Sequence, residues 1–206
     1  MRWVRVRGGG FVGFLVMLAV VAVWAWIGLY PFLARQAPVK SDTLVVEGWM
    51  PDDGLAQATG WAASNGVKEI MATGGPIETG SYLVKWKTYA EMTKARLEAM
   101  GMGERFEIVA VPAEKVRRGR TRESARALKL AMPMERGAFN LASEGPHTRR
   151  SWRAFQGVFG DGVEVGSIAL VQQEYGRNDW WSCSEGVRSV ISETIALAYD
   201  LLPGHD

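Results

Sequence analysis

Two kinds of residue are scarce in this chain. Cys183 is the only cysteine in 206 residues, and His147 and His205 are the only histidines. A lone thiol excludes an intramolecular disulfide and a cysteine-based metal site. One histidine amid scattered carboxylates also lacks the ligand spacing of a metal centre, so no metal is expected. Charge of one sign is scarce as well. The chain holds 24 Lys+Arg and 22 Asp+Glu, and setting aside Arg2, Arg5 and Arg7 leaves 21 basic residues. The basic excess therefore belongs to the N-terminus, and no nucleic-acid partner is expected. There is no G-x-S-x-G nucleophile elbow, no internal repeat and no low-complexity segment.

What the chain does have is one long apolar run. Gly8 to Ala34 carries no charge. At about 27 residues and ~1.5 Å rise each, it can cross a ~30 Å hydrocarbon core with some tilt. Trp24, Trp26 and Tyr30 stand near its far end, where an interfacial aromatic belt would sit. The run exceeds a signal-peptide core of roughly 7–15 residues and no A-x-A site follows, which favours an uncleaved anchor. The arginines before it favour a cytoplasmic N-terminus, with the rest of the chain outside the membrane. The expected layout is a cytoplasmic segment (1–7), an anchor (8–34), a linker (35–41), one α/β domain (42–202) and a tail (203–206). Gly8-Gly9-Gly10 lies at the membrane edge and is not a phosphate loop.

Beyond the anchor, short apolar runs alternate with helical patterns. Thr43 to Glu47, Val67 to Thr73, Phe106 to Val111, Ala138 to Ala142 and Val163 to Val171 read as strands. Asp52 and Asp53 can cap a helix that Gly66 ends, and Thr121 can cap one that Pro133 stops. A further helix is expected from Thr88 to Met100. The last starts near Ser184, with Val187, Val190, Ile191, Thr194, Ile195, Ala198, Leu201 and Leu202 at helical spacing, a stripe expected to face the sheet or a neighbouring helix. This alternation implies a five-stranded parallel sheet with right-handed crossovers and helices on both faces.

In such a sheet every strand carboxyl end lies on one edge, where ligands bind. The first strand ends at Glu47-Gly48-Trp49 and the second at Thr73-Gly74-Gly75. The third leads to Arg117, Arg118 and Arg120, the fourth to Ser143, His147, Arg149 and Arg150. The fifth leads to Gln172, Gln173 and Glu174. Glycines let backbone N–H groups approach a ligand, helix N-termini favour anions, and arginine forks fit phosphate or carboxylate. The expected site is therefore anionic in preference. Arg120, Arg149 and Arg150 hold the anion; Thr73, Gly74, Gly75, Thr121 and Ser143 offer hydrogen bonds. His147 is the acid/base candidate, because an unperturbed pKa of ~6.5 suits proton transfer near neutrality. Glu47 and Glu123 orient groups or activate water. Trp180-Trp181 reads equally as core, as a lid, or as a surface resting on the bilayer.

From Ser41 to Leu202 the chain resembles the YdcF/SanA/ElyC-like family of bacterial envelope-associated domains. Asp42-Thr43-Leu44-Val45-Val46 matches the first strand, Thr73-Gly74-Gly75 the Ser/Thr-Gly-Gly turn, and Tyr89-Ala90-Glu91-Met92 the helix after it. Arg120-Thr121-Arg122-Glu123-Ser124 is similar to the family's Asn-Thr-x-Glu-Asn element. The stretch from Ala142 to Arg150 is similar to Thr-Ser-x-x-His-x-x-Arg, with His147 at the histidine position and Arg150 at the arginine. The chain departs at Glu47-Gly48-Trp49, where the family has a glycine cluster, and at Arg120 and Ser124, where it has asparagines. The resemblance implies a Rossmann-like domain, an N-terminal anchor in the inner membrane, and a role in envelope biogenesis or barrier function. It implies no agreed reaction and no known cofactor. The leading expectation is an extracytoplasmic domain that binds, and in one version processes, a phosphorylated or carboxylated envelope metabolite. The alternatives are a non-catalytic envelope adaptor with a protein partner, or a module for a nucleotide-like ligand.

Overall fold

A computed structural model describes residues 8–132 and 137–202. The expectations for Arg2, Arg5, Arg7, Pro133 and His205 lie outside the described residues. An apolar helix, α1 (Gly8–Leu33), precedes five strands: β1 (Thr43–Glu47), β2 (Glu69–Gly74), β3 (Glu107–Pro112), β4 (Ala138–Glu144) and β5 (Glu164–Leu170). Between and after them come α2 (Asp52–Ser64), α3 (Tyr89–Ala99), α4 (Arg120–Ala131), α5 (Thr148–Phe159) and α6 (Ser184–Asp200). The strands form one parallel sheet in the order β3-β2-β1-β4-β5.

The sheet divides the core in two, because successive side chains of a strand point to opposite faces. Leu44 and Val46 pack with Leu55, Ala58 and Ala62 of α2 and Leu97 of α3. Val45 packs with Ala125 and Leu128 of α4 and Phe155 and Phe159 of α5 on the other face. β1 and β4 are buried along their lengths, save the half-buried end residues of β4, as sheets covered on both sides require. The crossovers run outward from β1 in one direction and from β4 in the other. The switch point therefore falls between β1 and β4, where open α/β sheets form a ligand crevice.

Several local details differ from expectation. α2 begins at Asp52 behind Pro51, with no side-chain cap. Asp52 is instead held by the Arg96 guanidinium at 2.6 and 2.8 Å. α4 begins two residues earlier than a Thr121 cap would place it, at Arg120. Its N-cap is Gly119 at φ 67, so Thr121 lies within the first turn and caps nothing. A left-handed N-cap suits glycine, which has no Cβ to clash. α3 has the reciprocal Thr88–Glu91 capping box.

α1 is long and apolar enough to cross a membrane. Its end is packed against the domain: Tyr30 and Leu33 are buried with Tyr175, Trp180, Val190 and Leu197. The segment after it also binds the sheet. Ala37 bridges Ser167 on β5, and the Asn140 side chain bonds both N–H and C=O of Val39 at 2.8 Å. Arg35 donates to Ser167 Oγ at 2.6 Å and lies 3.8 Å over the Trp152 ring. These contacts cover an edge strand that would otherwise expose unpaired backbone groups.

Candidate functional site

The site is built where β1 and β4 end side by side. β1 delivers Glu47, which is 3% exposed. β4 delivers Ser143, and a 3-10 turn (Gly145–His147) carries His147 into α5. His147, Arg150 and Ser151 follow at i, i+3 and i+4, so they share one face of the helix start. α6 supplies Glu193 between buried Val190 and Leu197 on its inner face.

Glu47 is a buried anion that every neighbour serves. Ser143 Oγ donates to its Oε2, and Ser151 Oγ lies 3.0 and 3.1 Å from its two oxygens. His147 Nε2 is 3.7 Å from Oε1. The carboxylate also abuts the first turn of α5, where the helix's partial positive charge favours an anion. Burial alone would raise its pKa, but His147 and the two serine hydroxyls outweigh burial, and it is lowered.

Glu193 is gripped twice. Arg150 donates Nε to Oε2 at 2.7 Å and Nη2 to Oε1 at 3.1 Å, a bidentate fork. His147 Nδ1 reaches Oε1 at 3.0 Å. Burial would raise Glu193, yet these hydrogen bonds and charges bring it down to about 2. His147 feels the opposite balance. Burial would lower its pKa, but the Glu47 charge and the Glu193 hydrogen bond lift it to about 9. The raised value favours the protonated imidazole at neutral pH, with Glu47 facing Nε2 and both Glu193 and the Arg150 guanidinium, 3.1 Å away, facing Nδ1. In that form it can donate a proton or stabilise negative charge. The shift carries His147 upward from the ordinary value of 6.5 on which its acid/base expectation was based. Trp49, 42% exposed, stands edge-on to the imidazole at 5.2 Å.

Glu47, Ser143, His147 and Arg150 thus meet in one cluster. The other expected residues do not join it. Arg149 donates Nε to Phe32 O and lies 4.1 Å over the Phe32 ring, so it ties α5 to the end of α1. Arg120 is exposed and pairs with Glu78 at 3.3 Å. Glu123 pairs with Arg126 at 3.1 Å. Thr73 is buried and its Oγ1 donates to Val46 O at 3.3 Å, binding β2 to β1. Thr121 is half-buried in the first turn of α4. The strand order explains the separation of Arg120: β3 is an outer strand, two places from β1.

The glycines also serve packing. A Cβ on Gly74 would lie 2.7 Å from Tyr89 Cβ, whereas Gly75 has room for one and its carbonyl accepts from Tyr89 N at 2.9 Å. On Gly48 a Cβ would meet Tyr89 O at 2.7 Å and Thr73 O at 2.8 Å. The close approach of α3 to the sheet edge requires both residues to lack side chains. Gly48→Ala is expected to destabilise the domain by about 1–3 kcal/mol through overpacking. Thermal unfolding checks this, and an unchanged midpoint would contradict it.

Glu193, Ser151 and Trp49 were not among the expected site residues. Glu193 had a readable signal, an acid among the inward positions of an otherwise apolar stripe. Ser151 had only its spacing from His147. Among the described residues, no group of three or more His, Cys, Asp or Glu is placed to hold a metal ion. No protein-family model matches the chain, and no curated protein matches it either.

Proposed function

We propose that the crevice between β1 and β4 binds a small anionic ligand, phosphorylated or carboxylated, against His147 and Arg150. One observation carries this reading. Glu193 is itself a carboxylate held by the Arg150 fork and His147 Nδ1, the arrangement an anionic ligand would adopt. Glu193 then acts as an internal competitor that a ligand anion displaces. His147 supplies the counter-charge and, in a version with turnover, the proton. Glu47 keeps the imidazole protonated and oriented.

The wider reading follows from the chain's ends and its resemblances. The domain lies outside the inner membrane, anchored by α1 with a cytoplasmic N-terminus, because the flanking arginines favour that side. The order of motifs supports membership of the YdcF/SanA/ElyC-like group, with a role in envelope biogenesis. The complete pairing of all four charges favours one rival, a non-catalytic adaptor in which the cluster only fixes α6 to the sheet.

Inorganic phosphate and citrate, titrated against the full chain in detergent micelles, separate the two. Saturation at a hundredfold excess over the dissociation constant would stabilise the fold by roughly 2.7 kcal/mol. Glu193→Gln is expected to bind phosphate more tightly by removing the competitor, and Arg150→Gln to lose it. If neither anion raises the unfolding midpoint of the parent or of Glu193→Gln, the binding reading falls and the adaptor stands.

A further inference from the structure

α6 is apolar on two faces. Val190 and Leu197 point inward to α1 and the Trp180 segment. On the outer side Val187, Ile191, Ile195 and Tyr199 are exposed, with Ile195 at 65%, as is Leu202 just past the helix end, so this part of the expected stripe is covered by neither the sheet nor a neighbouring helix. These positions repeat at three or four residues and form a continuous outer stripe. Trp181, 43% exposed, stands just before the helix and extends it. Arg188 borders the start of the stripe and Glu185 pairs it at 2.8 Å, while Asp200 borders its end and lies 4.0 Å from Arg150.

Where this stripe sits relative to α1 identifies its occupant. Trp180 stacks on Trp26 with ring centroids 4.4 Å apart. Trp26 precedes the end of α1 at Leu33 by nearly two turns, about 10 Å along the axis. The domain therefore meets α1 inside its apolar stretch, at the level where interfacial tryptophans sit. We propose that the outer stripe of α6, with Trp181, is seated in the lipid–water interface of the bilayer that α1 crosses. The stripe residues are uncharged, and Arg188, Glu185 and Asp200 at its borders supply no net positive charge, so the seat requires apolar burial and no anionic headgroup. Glu193 lies on the far side of the same helix. The site at the sheet edge then stands about one helix diameter, ~10 Å, from the membrane surface.

The inference rests on α1 spanning the bilayer, and the test separates the two. The full chain carrying Cys183→Ser goes into phosphatidylcholine nanodiscs. Serine is itself a good N-cap, so it replaces the Cys183 cap of α6. Single cysteines at Val20, Ile195 and Ser64 receive a nitroxide, and collision with oxygen or a water-soluble nickel chelate reports depth. Val20→Cys should be deep, Ser64→Cys aqueous, and Ile195→Cys shallow but oxygen-favoured. A nickel-accessible Ile195 probe beside a deep Val20 probe overturns the seat and leaves the span intact. An aqueous Val20 probe overturns the span and the seat with it. If the Ile195 probe is shielded from both quenchers and shows spin–spin broadening that dilution with unlabelled protein removes, a second copy covers the stripe and the proposal falls.

Discussion

Replacing Glu47 with alanine is expected to cost about 3–5 kcal/mol of stability, the usual penalty for removing one partner of a buried ion pair. For a chain of this size the unfolding midpoint should fall by roughly 10 °C. The loss has identifiable parts. His147 would keep a buried positive charge with only Glu193 opposite, beside the Arg150 guanidinium. Ser143 and Ser151 would lose their acceptor, and each buried hydroxyl left unsatisfied costs ~1–3 kcal/mol. Glu47→Gln should cost less, because the amide still accepts from a serine. It should also move the His147 pKa down from about 9, which NMR titration of the imidazole reads directly. An alanine variant within about 1 kcal/mol of the parent would show that water or a rearranged side chain replaces the carboxylate, and the ion-pair account would fail.

Stability should also fall as pH rises from 6.5 to beyond 9. The sign follows from His147, whose pKa is raised in the folded state from 6.5 to about 9. Its contribution is complete below the unfolded value and disappears as pH passes the folded one. The loss is on the order of 3–4 kcal/mol, at ~1.4 kcal/mol for each tenfold gain in proton affinity on folding. Glu193 behaves oppositely. Its pKa is depressed from 4.5 to about 2, so its contribution is present above 4.5 and fades as pH falls through 2. The two together place maximal stability from this cluster between about pH 4.5 and 6.5. Unfolding midpoints across pH 5–9 check this for the parent and for His147→Gln. The variant should be less stable at pH 6 and should lose most of the alkaline slope. A parallel slope in both would locate the pH dependence elsewhere.

The strand Thr43 to Glu47 was readable because five residues buried on both faces leave no other economical structure, and its end was readable because glycine follows. Gly66 ends α2 in the left-handed region, at φ 72, as a helix terminator does. The caps were harder. Asp52 is as good an N-cap as Ser or Thr by residue type, but Pro51 occupies that place and Arg96 of α3 draws the carboxylate away. Thr121 loses its role to Gly119 for a similarly local reason. That Glu47, Ser143, His147 and Arg150 share one edge of the sheet follows from strand ends, but their meeting in one cluster needed β1 to lie beside β4. The placing of Arg120 with them failed because strand order cannot be read from periodicity.

The sequence by itself determined the alternation of strands and helices, the long uncharged run at the N-terminus, and the handover from β4 to α5 that carries His147. Each depends on spacing along the chain, and side-chain periodicity encodes spacing. Only the tertiary structure decided that β1 lies beside β4, that Arg149 leaves the site for Phe32, and that Glu193, 46 residues from His147, completes it. The protonation of His147 belongs to this second group. It depends on two carboxylates brought from other elements against a largely buried imidazole. Coulomb energy varies with distance in space and with local dielectric, and neither is written in the order of residues.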